Sequence, residues 1–500
     1  MTDLLANLAL GFGVALSLQN VGLAFVGCMV GTLIGVLPGV GPIATITMLL
    51  PITFGLPPVG ALILLAGIYY GAQYGGSTTA ILVNIPGEVT SVVTTLDGHQ
   101  MARQGRAGAA LGVAALGSFF AGCFSTLVVA GLAVPLTRLA MVFGPAEYAA
   151  LMLAGLAFAV VLARGSVLKS IAMILLGLLL STVGTDLETG VDRMTFGLPA
   201  LSDGLEFAVL AMGLFGFAEV LRNLEATETR DVVQAPIGRI WPTRHELRQS
   251  AGPVARGSLV GAALGILPGN GAVLGPFASY ALEKRLAKDP SRFGRGAIEG
   301  VAGPEAANNA GAQTSFIPLL TLGIPPNAVM ALMVGAMTIH GIVPGPLVMS
   351  RNPALFWGLI ASMWIGNLML LVINLPLVGL WVRFLRVPYR LMFPAILLFC
   401  CIGIYSVNNS PSDVLLTGGC ALLGYAAGKV GLEGAPLLLG MVLGRLFEEN
   451  LRRALAIARG DPWAILQRPI TAGLVLAALL VLTAAILPAV RRGREEIFTE

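Results

Sequence analysis

Charge is scarce in this sequence. Only 11% of the 500 residues are Asp, Glu, Lys or Arg and there are three histidines, whereas 56% of the residues are hydrophobic. Soluble globular proteins carry about 25% charged residues. A chain of this length cannot cover a water-exposed surface with so little charge, so the composition excludes a cytosolic enzyme. The abundance of apolar residues also excludes a disordered chain, and the solvent that remains is lipid.

Sequence patterns that would support catalysis are missing as well. Gly428-Lys429 is followed by Val430 and has no upstream Gly at the Walker A spacing, which argues against direct ATP hydrolysis. The absence of HExxH, G-x-S-x-G and paired intramembrane Asp residues argues against a protease, and the absence of an Arg ladder argues against a voltage-gated channel. The five cysteines lie in apolar runs without CxxC. We therefore expect no enzyme, no metal site and no cofactor.

Long apolar segments dominate the chain. Residues 4–87 contain no Asp, Glu, Lys, Arg or His, and a membrane span needs about 20 apolar residues. Further apolar segments lie at 107–137, 146–163, 166–185, 205–220, 257–275, 306–350, 354–382, 391–412, 412–444 and 469–490. The sequence predicts an all-α polytopic membrane protein with about ten to twelve transmembrane or re-entrant segments.

Basic residues are concentrated in a few polar segments, which lie at 97–106, 219–256, 283–299, 445–468 and the C-terminus. Because cytoplasmic loops are enriched in Lys and Arg, we expect these segments and the C-terminus inside the cell. The N-terminus lacks a basic region, so no signal peptide is expected. The predicted units are a first transmembrane repeat at 1–218, a polar cytoplasmic connector at 219–256, a second repeat at 257–465, and a terminal helix with a basic tail at 466–500.

Two motifs rich in Gly and Pro occur twice in the same order. GTLIGVLPGVG at 31–41 resembles GAALGILPGNG at 261–271, and GAQ followed by NIPG in the first half resembles GAQ followed by GIPP in the second. Two ordered pairs at a nearly constant offset indicate duplication. In the first half of the chain, a basic loop follows the NIPG motif. In the second half, a basic loop follows the LPGNG motif instead. If both loops are cytoplasmic, the two repeats have inverted topology.

These motifs are expected to interrupt membrane helices. Pro removes a backbone donor and Gly favours non-helical dihedral angles. In hydrocarbon, freed backbone groups are tolerated only inside protein or beside a wet cavity. Carbonyl groups at a helix end suit a cation, and the amides of the next helix suit a carboxylate. Matched breaks in two halves therefore indicate the midplane site of a secondary transporter. The alternative is that Pro and Gly only kink spanning helices.

The candidate substrate- and ion-binding residues lie in and beside these breaks. They are Pro38, Gly39, Gly41, Gly75, Gly76, Ser77, Thr78, Asn84, Pro86 and Gly87 in the first half, and Pro268, Gly269, Asn270, Gly271, Glu305, Asn308, Asn309, Thr314, Ser315, Gly323 and Pro325 in the second. Hydroxyl and amide groups can bind carboxylate oxygens or complete a Na⁺ shell, although they also form ordinary bonds between helices. Glu88 and Glu305 are the candidates for cation coupling, with interfacial capping as the alternative.

Longer strings resemble a known family. They are LPGVGP at 37–42, GIYYGAQYGGS at 67–77, ILVNIPG at 81–87, TLDG at 95–98, GPEAANNA at 303–310, IPLLTLGIP at 317–325 and GIVPGP at 341–346. These strings are similar to those of the large membrane subunit of bacterial tripartite tricarboxylate transporters, over nearly the whole chain. One departure is His99, where the family pattern has an aromatic residue.

The resemblance implies a function and partners. The large subunit of that family works with a small four-span membrane subunit and a periplasmic solute-binding protein, which delivers an organic anion, typically a di- or tricarboxylate such as citrate. Transport is secondary, coupled to Na⁺ or H⁺, and uses alternating access. The expected protein is thus a permease of the bacterial inner membrane. An anion or small-solute channel built from the same broken helices is the alternative.

Overall fold

The chain folds almost entirely into helices. The structure is a computed structural model that describes residues 2–37, 41–162, 166–186, 189–198, 201–225, 238–267, 271–384, 393–394, 397–398, 400–402, 404–405 and 409–486. Within these residues the only strands are β1 (Gly184–Thr185) and β2 (Asp192–Arg193), which pair antiparallel. The prediction of an all-α membrane protein is confirmed.

Helices before the polar connector occupy most of the first half. They are α1 (Thr2–Ala15), α2 (Leu18–Val36), α3 (Pro42–Leu49), α4 (Pro58–Val83), α5 (Val92–Thr94), α6 (Gln100–Arg103), α7 (Ala107–Ala140), α8 (Pro145–Leu162), α9 (Val167–Ser181), α10 (Phe207–Ala211) and α11 (Ala218–Glu225). Short 3₁₀ turns lie at Pro51–Gly55 and Val89–Ser91, and π-helical turns at Thr95–His99 and Met212–Phe217.

The second half repeats this pattern of long and short helices. Its helices are α12 (Arg244–Gly265), α13 (Gly271–Leu286), α14 (Glu299–Thr314), α15 (Phe316–Leu322), α16 (Ala328–Ile339), α17 (Leu347–Arg351), α18 (Pro353–Asn374), α19 (Val378–Phe384), α20 (Pro411–Lys429), α21 (Gly434–Ile457), α22 (Pro462–Leu466) and α23 (Pro469–Ile486). One 3₁₀ turn, Pro290–Arg292, separates α13 from α14.

Three helices in the described part of the chain, α2, α7 and α18, are long and apolar enough to cross a membrane. Shorter apolar stretches lie in α1, α8, α9, α16 and α23. Of the helices that flank the Gly- and Pro-rich motifs, α2 is one of these three long helices, whereas α3 and α15 are shorter than a standard span and α12 is more polar. The total of ten to twelve segments stays a prediction.

Glycines bring α2 and α4 into backbone contact. Three glycines spaced four residues apart on α2 face three with the same spacing on α4: Gly27, Gly31 and Gly35 against Gly67, Gly71 and Gly75. A Cβ atom on Gly31 would lie 2.3 Å from the carbonyl oxygen of Ile68. Membrane helices associate through such small residues because backbones can then approach closely.

The same packing recurs in the second half between α12 and α14. Gly257, Gly261 and Gly265 lie on α12 at the positions that match the α2 glycines, 230 residues later. A Cβ atom on Gly261 would lie 2.1 Å from the carbonyl oxygen of Ala307 on α14. The duplication that the motifs indicate therefore extends to the packing of the helices around them.

Helices of the two predicted repeats are interleaved. α18 packs against α1, α2, α4 and α7, and α7 packs against α12 and α14. The short helix after the first break, α3, packs against α16, whereas α13, after the matching break of the second half, packs against Val89–Ser91. Each half thus places the helix that follows its first motif beside the segment that follows the second motif of the other half.

Three of the polar segments that were predicted to be cytoplasmic lie together. The backbone N–H groups of Gly296 and Ala297 donate to the Asp97 carboxylate at 2.7 and 2.8 Å. Close by along the chain, Arg106 pairs with Glu246 of the connector at 3.0 Å. The loops around 97–106 and 283–299 and the start of α12 therefore share one side of the molecule.

Candidate functional site

Both predicted helix breaks have helix ends on either side of them. α2 ends at Val36 and α3 begins at Pro42, and α12 ends at Gly265 and α13 begins at Gly271. Five predicted site residues lie outside the described residues: Pro38, Gly39, Pro268, Gly269 and Asn270. Gly41 precedes α3 as its N-cap residue. The described residues next to the first break, Leu37 and Gly41, have extended backbone conformations, which favours an interruption over a simple kink there.

The carbonyl groups at these helix ends are covered rather than bare. The Thr79 hydroxyl on α4 lies 3.0 Å from the carbonyl oxygen of Val36 and 3.2 Å from that of Gly35. In the second half, the Ser315 hydroxyl lies 3.3 Å from the carbonyl oxygen of Gly265. Each hydroxyl has a single hydrogen and also lies near a carbonyl oxygen of its own helix, Gly75 for Thr79 at 3.2 Å and Gly311 for Ser315 at 2.8 Å. It can therefore donate to only one of these carbonyls at a time.

The second pair of motifs ends a helix with a left-handed residue. Asn84 terminates α4 with φ 59°, and Gly323 terminates α15 with φ 75°. Non-Gly residues other than Asn and Asp rarely adopt this conformation. Asn84 is exposed, whereas Pro325, two residues after Gly323, is buried. The structure thus gives Asn84 a turn role and places its side chain at the surface.

The residues that follow these turns have the same backbone conformation. Glu88 has φ −150° and ψ 172°, and Asn327 has φ −152° and ψ 174°. Each is the N-cap residue of the next helical segment, Val89–Ser91 in the first half and α16 in the second. The two positions are structurally equivalent, so one half carries an acid where the other carries an amide.

Glu305 links the second half to the first. Its side chain is 1% exposed. The Ser77 hydroxyl on α4 donates to Glu305 Oε2 at 2.5 Å, and the Thr94 hydroxyl on α5 donates to the other carboxylate oxygen. In the part of the chain that the structure describes, neither Glu305 nor Glu88 forms an ion pair with a basic side chain. The sequence prediction that Ser77 and Glu305 belong to one site agrees with this contact.

Glu88 and Asn308 lie beside each other next to this contact. The Thr90 hydroxyl is 2.9 Å from Glu88 Oε1 and also 2.9 Å from Gln73 Oε1. Asn308 is 1% exposed, and among the described residues neither its amide nitrogen nor its amide oxygen has a hydrogen-bond partner. We call Glu88, Glu305 and Asn308 the acidic half-site.

A neutral counterpart lies around Asn327. Tyr69 on α4 lies beside Asn327 and Ser315, and the Asn327 amide nitrogen is 3.4 Å from the Ser315 hydroxyl. We call Tyr69, Ser315 and Asn327 the neutral half-site. The sequence analysis did not single out Tyr69. The repeat offset does not find it, because the GAQ motifs at 71–73 and 311–313 are 240 residues apart and match Tyr69 with Asn309 rather than with a residue of either half-site.

Several predicted site residues instead hold helices together. A Cβ atom on Gly75 would lie 2.3 Å from the carbonyl oxygen of Thr32, and one on Gly87 would lie 2.2 Å from that of Gly35. The Asn309 amide nitrogen donates to the Ser118 hydroxyl on α7 at 2.7 Å. Three further members make contacts within their own helix or across the adjacent break, namely Thr78, Gly271 and Thr314. A Cβ atom on Gly76 would meet Glu88 at 3.2 Å, and Pro86 is half-buried.

Comparison with known proteins places the chain in a family. Residues 21–439 match the family described as "Tripartite tricarboxylate transporter TctA family". The chain belongs to this family. It is a family of large permease components of tripartite transporters, which makes the chain a multi-pass membrane transporter component rather than a member of an enzyme family, and the tripartite system implies other subunits.

Two relatives of this TctA-family chain come from Agrobacterium vitis. One, an uncharacterized 52.8 kDa protein of the TAR-I ttuC' 3' region, is 56% identical over 500 residues and is covered completely, as is our chain. The other, an uncharacterized protein of the TAR-II ttuC' 3' region, is 59% identical over 240 residues, which are 48% of our chain and 99% of the relative. No solved structure is detectably similar.

A small cavity adjoins the acidic half-site of this TctA-family chain. Its volume is about 20 Å³, and Tyr74, Ser77, Thr78, Ser118 and Asn374 supply its polar lining. Within the described residues the Tyr74 hydroxyl and the Asn374 amide oxygen have no hydrogen-bond partner. A polar cavity of this size has room for about one water molecule. The cavity is therefore polar and small.

Proposed function

We propose that this chain is the permease subunit of a cation-coupled secondary transporter that imports organic di- or tricarboxylates across the bacterial inner membrane. The observation that carries the proposal is the Ser77–Glu305 contact, which joins the interrupted segments of both halves in one buried polar cluster. Broken helices that meet in this way are typical of secondary transporters. Hydroxyl and amide groups beside the breaks supply the neutral donors that carboxylate oxygens accept.

The two repeats have inverted topology in this proposal. The contact between Asp97 and Ala297 supports it, because the loops on either side of this contact follow different motifs in the two halves. Two halves with the same orientation would place these loops on opposite faces. The Lys and Arg content of both loops puts their shared side, together with the C-terminus, in the cytoplasm.

The partners proposed are a small four-span membrane subunit and a periplasmic solute-binding protein. The family description supports the existence of further subunits. The binding protein delivers the carboxylate to the outward-facing permease, and the cation gradient drives its release inside. Genes for a small membrane protein and a secreted binding protein beside the gene for this chain would support this assembly.

A carrier is favoured over a channel by the interrupted segments that occur in both halves of the chain, an arrangement typical of secondary transporters. A channel needs a continuous polar path, whereas a carrier exposes its site to one side at a time.

Reconstitution tests the proposal. The chain and the small membrane subunit are placed in liposomes, the binding protein is added outside, and uptake of radiolabelled citrate and of C4-dicarboxylates is followed with imposed Na⁺ or pH gradients. We expect accumulation above the outside concentration that needs both the gradient and the binding protein. Flux that only equilibrates the substrate, without need for either, would show a channel instead.

A further inference from the structure

We propose that the acidic half-site binds one monovalent cation and that the neutral half-site binds none. The role of this cation in coupling rests on the proposed transport function, but its binding does not. The two carboxylates come from different halves of the chain, Glu88 from the first and Glu305 from the second. The site is complete only when α14 lies against α4 and α5, because Ser77 and Thr94 hold the Glu305 carboxylate.

The fold does not require an acid at position 88. Asn327 has the same backbone conformation and performs the same capping role with a neutral amide, since its Oδ1 atom accepts from the N–H of Met330 at 2.9 Å. Asn is as good an N-cap residue as any acid. Local structure therefore accounts for a polar side chain at this position but not for its negative charge.

Among the described residues, the negative charges of Glu88 and Glu305 have no positive partner, which indicates a role for the acid at position 88. Glu305 is 1% exposed and lies close enough to Glu88 for the two charges to interact. Tyr69 is the other titratable group that faces Glu88. In the described part of the chain no Lys, Arg or His side chain pairs with either acid. Glu305 is fully buried and Glu88 is half-buried, so a negative charge on both is disfavoured unless a positive charge compensates it.

Asn308 supplies the independent sign of a ligand. Its side chain is 99% buried and interacts with the Glu88 carboxylate, but no other described residue pairs with either of its polar atoms. Bonds that a buried amide leaves unmade are unfavourable unless a ligand completes them. Its oxygen suits a sodium ion, which takes oxygen ligands, and equally suits a protonated Glu88, which can donate to it. A sodium ion and a proton on Glu88 would therefore both interact with the Asn308 amide oxygen.

The test measures cation binding to the full-length chain in nanodiscs without substrate. Retention of ²²Na⁺ is measured at pH 8, and proton uptake is measured by titration of a weakly buffered sample from pH 8 to pH 5. Glu88→Asn copies the neutral half and keeps the N-cap, so it separates charge from folding. Glu305→Gln removes the second charge. Controls are Asn327→Gln, in the neutral half-site, and Glu147→Gln, which removes a buried acid paired with Arg468.

We expect wild-type protein to bind one cation and both acidic half-site variants to lose at least tenfold in affinity, with the controls unchanged. Retained ²²Na⁺ identifies sodium. Proton uptake that disappears in Glu88→Asn and Glu305→Gln, without ²²Na⁺ retention, identifies the proton. If the wild type shows neither signal, or if the two variants match it, the proposal is wrong. If the protein binds a cation but does not accumulate carboxylates, only the proposed transport function is contradicted. If it accumulates carboxylates but these acids bind no cation, only the proposed cation site is contradicted.

Discussion

The Asp97 carboxylate accepts a hydrogen bond from the backbone N–H of Ala297, 200 residues later, at 2.8 Å. The same carboxylate accepts from the N–H of Gly296 at 2.7 Å and from the hydroxyl of Tyr280 at 3.0 Å, and it is fully buried. Hydrogen bonds to a charged group are stronger than those between neutral groups. One side chain therefore fixes the π-helical turn of the first half against the loop that precedes α14.

Asp97→Asn should weaken this link between the halves. The amide keeps the size of the side chain but carries no charge and offers one acceptor oxygen instead of two. We expect a loss of about 1.5–3 kcal/mol in unfolding free energy, measured by thermal unfolding in detergent. Asp289→Asn is the control, because Asp289 is exposed and only caps a short turn at Ser291. Equal effects of the two substitutions would contradict the structural role of Asp97.

The glycine faces of the paired helices make a second prediction. Gly261→Ala would place a Cβ atom 2.1 Å from a carbonyl oxygen of α14 and push α12 away, so we expect a loss of about 1–3 kcal/mol in stability. Gly131→Ala on α7 meets no atom within 4 Å and should leave stability unchanged or raise it. Thermal unfolding of both variants in the same detergent decides the matter, and a harmless Gly261→Ala would overturn the close packing.

Substitutions of Asn84, the left-handed residue at the end of α4, distinguish a role in the turn from a role as a substrate ligand. Asn84→Ala should reduce stability by about 1–2 kcal/mol, because alanine disfavours the left-handed conformation. Asn84→Gly should restore the stability of the wild type and also its carboxylate uptake, since Gly323 occupies the matching position. Uptake that stays low in a stable Asn84→Gly variant would return Asn84 to the list of substrate ligands.

Two neighbouring asparagines on α14 should behave differently. Asn308→Ala removes an unpaired amide, so we expect at least tenfold lower uptake with an unchanged melting temperature. Asn309→Ala removes the bond to Ser118 on α7 and should cost about 1 kcal/mol in stability, with uptake lowered only as far as folded protein is lost. Uptake and unfolding measured on the same preparations test this. If Asn309→Ala abolishes uptake without loss of stability and Asn308→Ala does not, the binding residue is Asn309 and not Asn308.

Glu246 in the first turn of α12 predicts a pH effect on stability at the side of the molecule that the polar loops share. Partial burial by itself raises the pKa of Glu246, but the Thr243 N–H and the Arg106 guanidinium outweigh it and hold the pKa below its usual value. This stabilisation is complete above the unfolded pKa of about 4.3 and disappears as the pH falls through the folded pKa. The stability difference between wild type and Glu246→Gln should therefore shrink on acidification. A difference that grows below about pH 4 would contradict the assignment.

The class of protein and the place of the helix breaks follow from local chemistry. Scarce charge requires a lipid environment. A Leu-Pro-Gly-x-Gly sequence disfavours a helix through its own backbone, although single Pro residues such as Pro135 and Pro304 lie inside helices. The recurrence of both motifs indicates a duplication, whereas the matching packing of α2 with α4 and of α12 with α14 is known only from the structure. For these reasons residues such as Ser77, Glu305 and Asn308 could be selected before any contact was known.

Which of those residues face the candidate site and which of them pack against another helix depends on contacts between distant parts of the chain. Asn308 and Asn309 are adjacent and identical in type, yet one faces Glu88 and the other bonds to α7, because helical geometry turns successive side chains by about 100° and only packing decides what each meets. Tyr69 joins the neutral half-site and Thr79 covers the end of α2 for the same reason. Periodicity and composition describe one segment at a time, whereas a binding site is set by which segments touch.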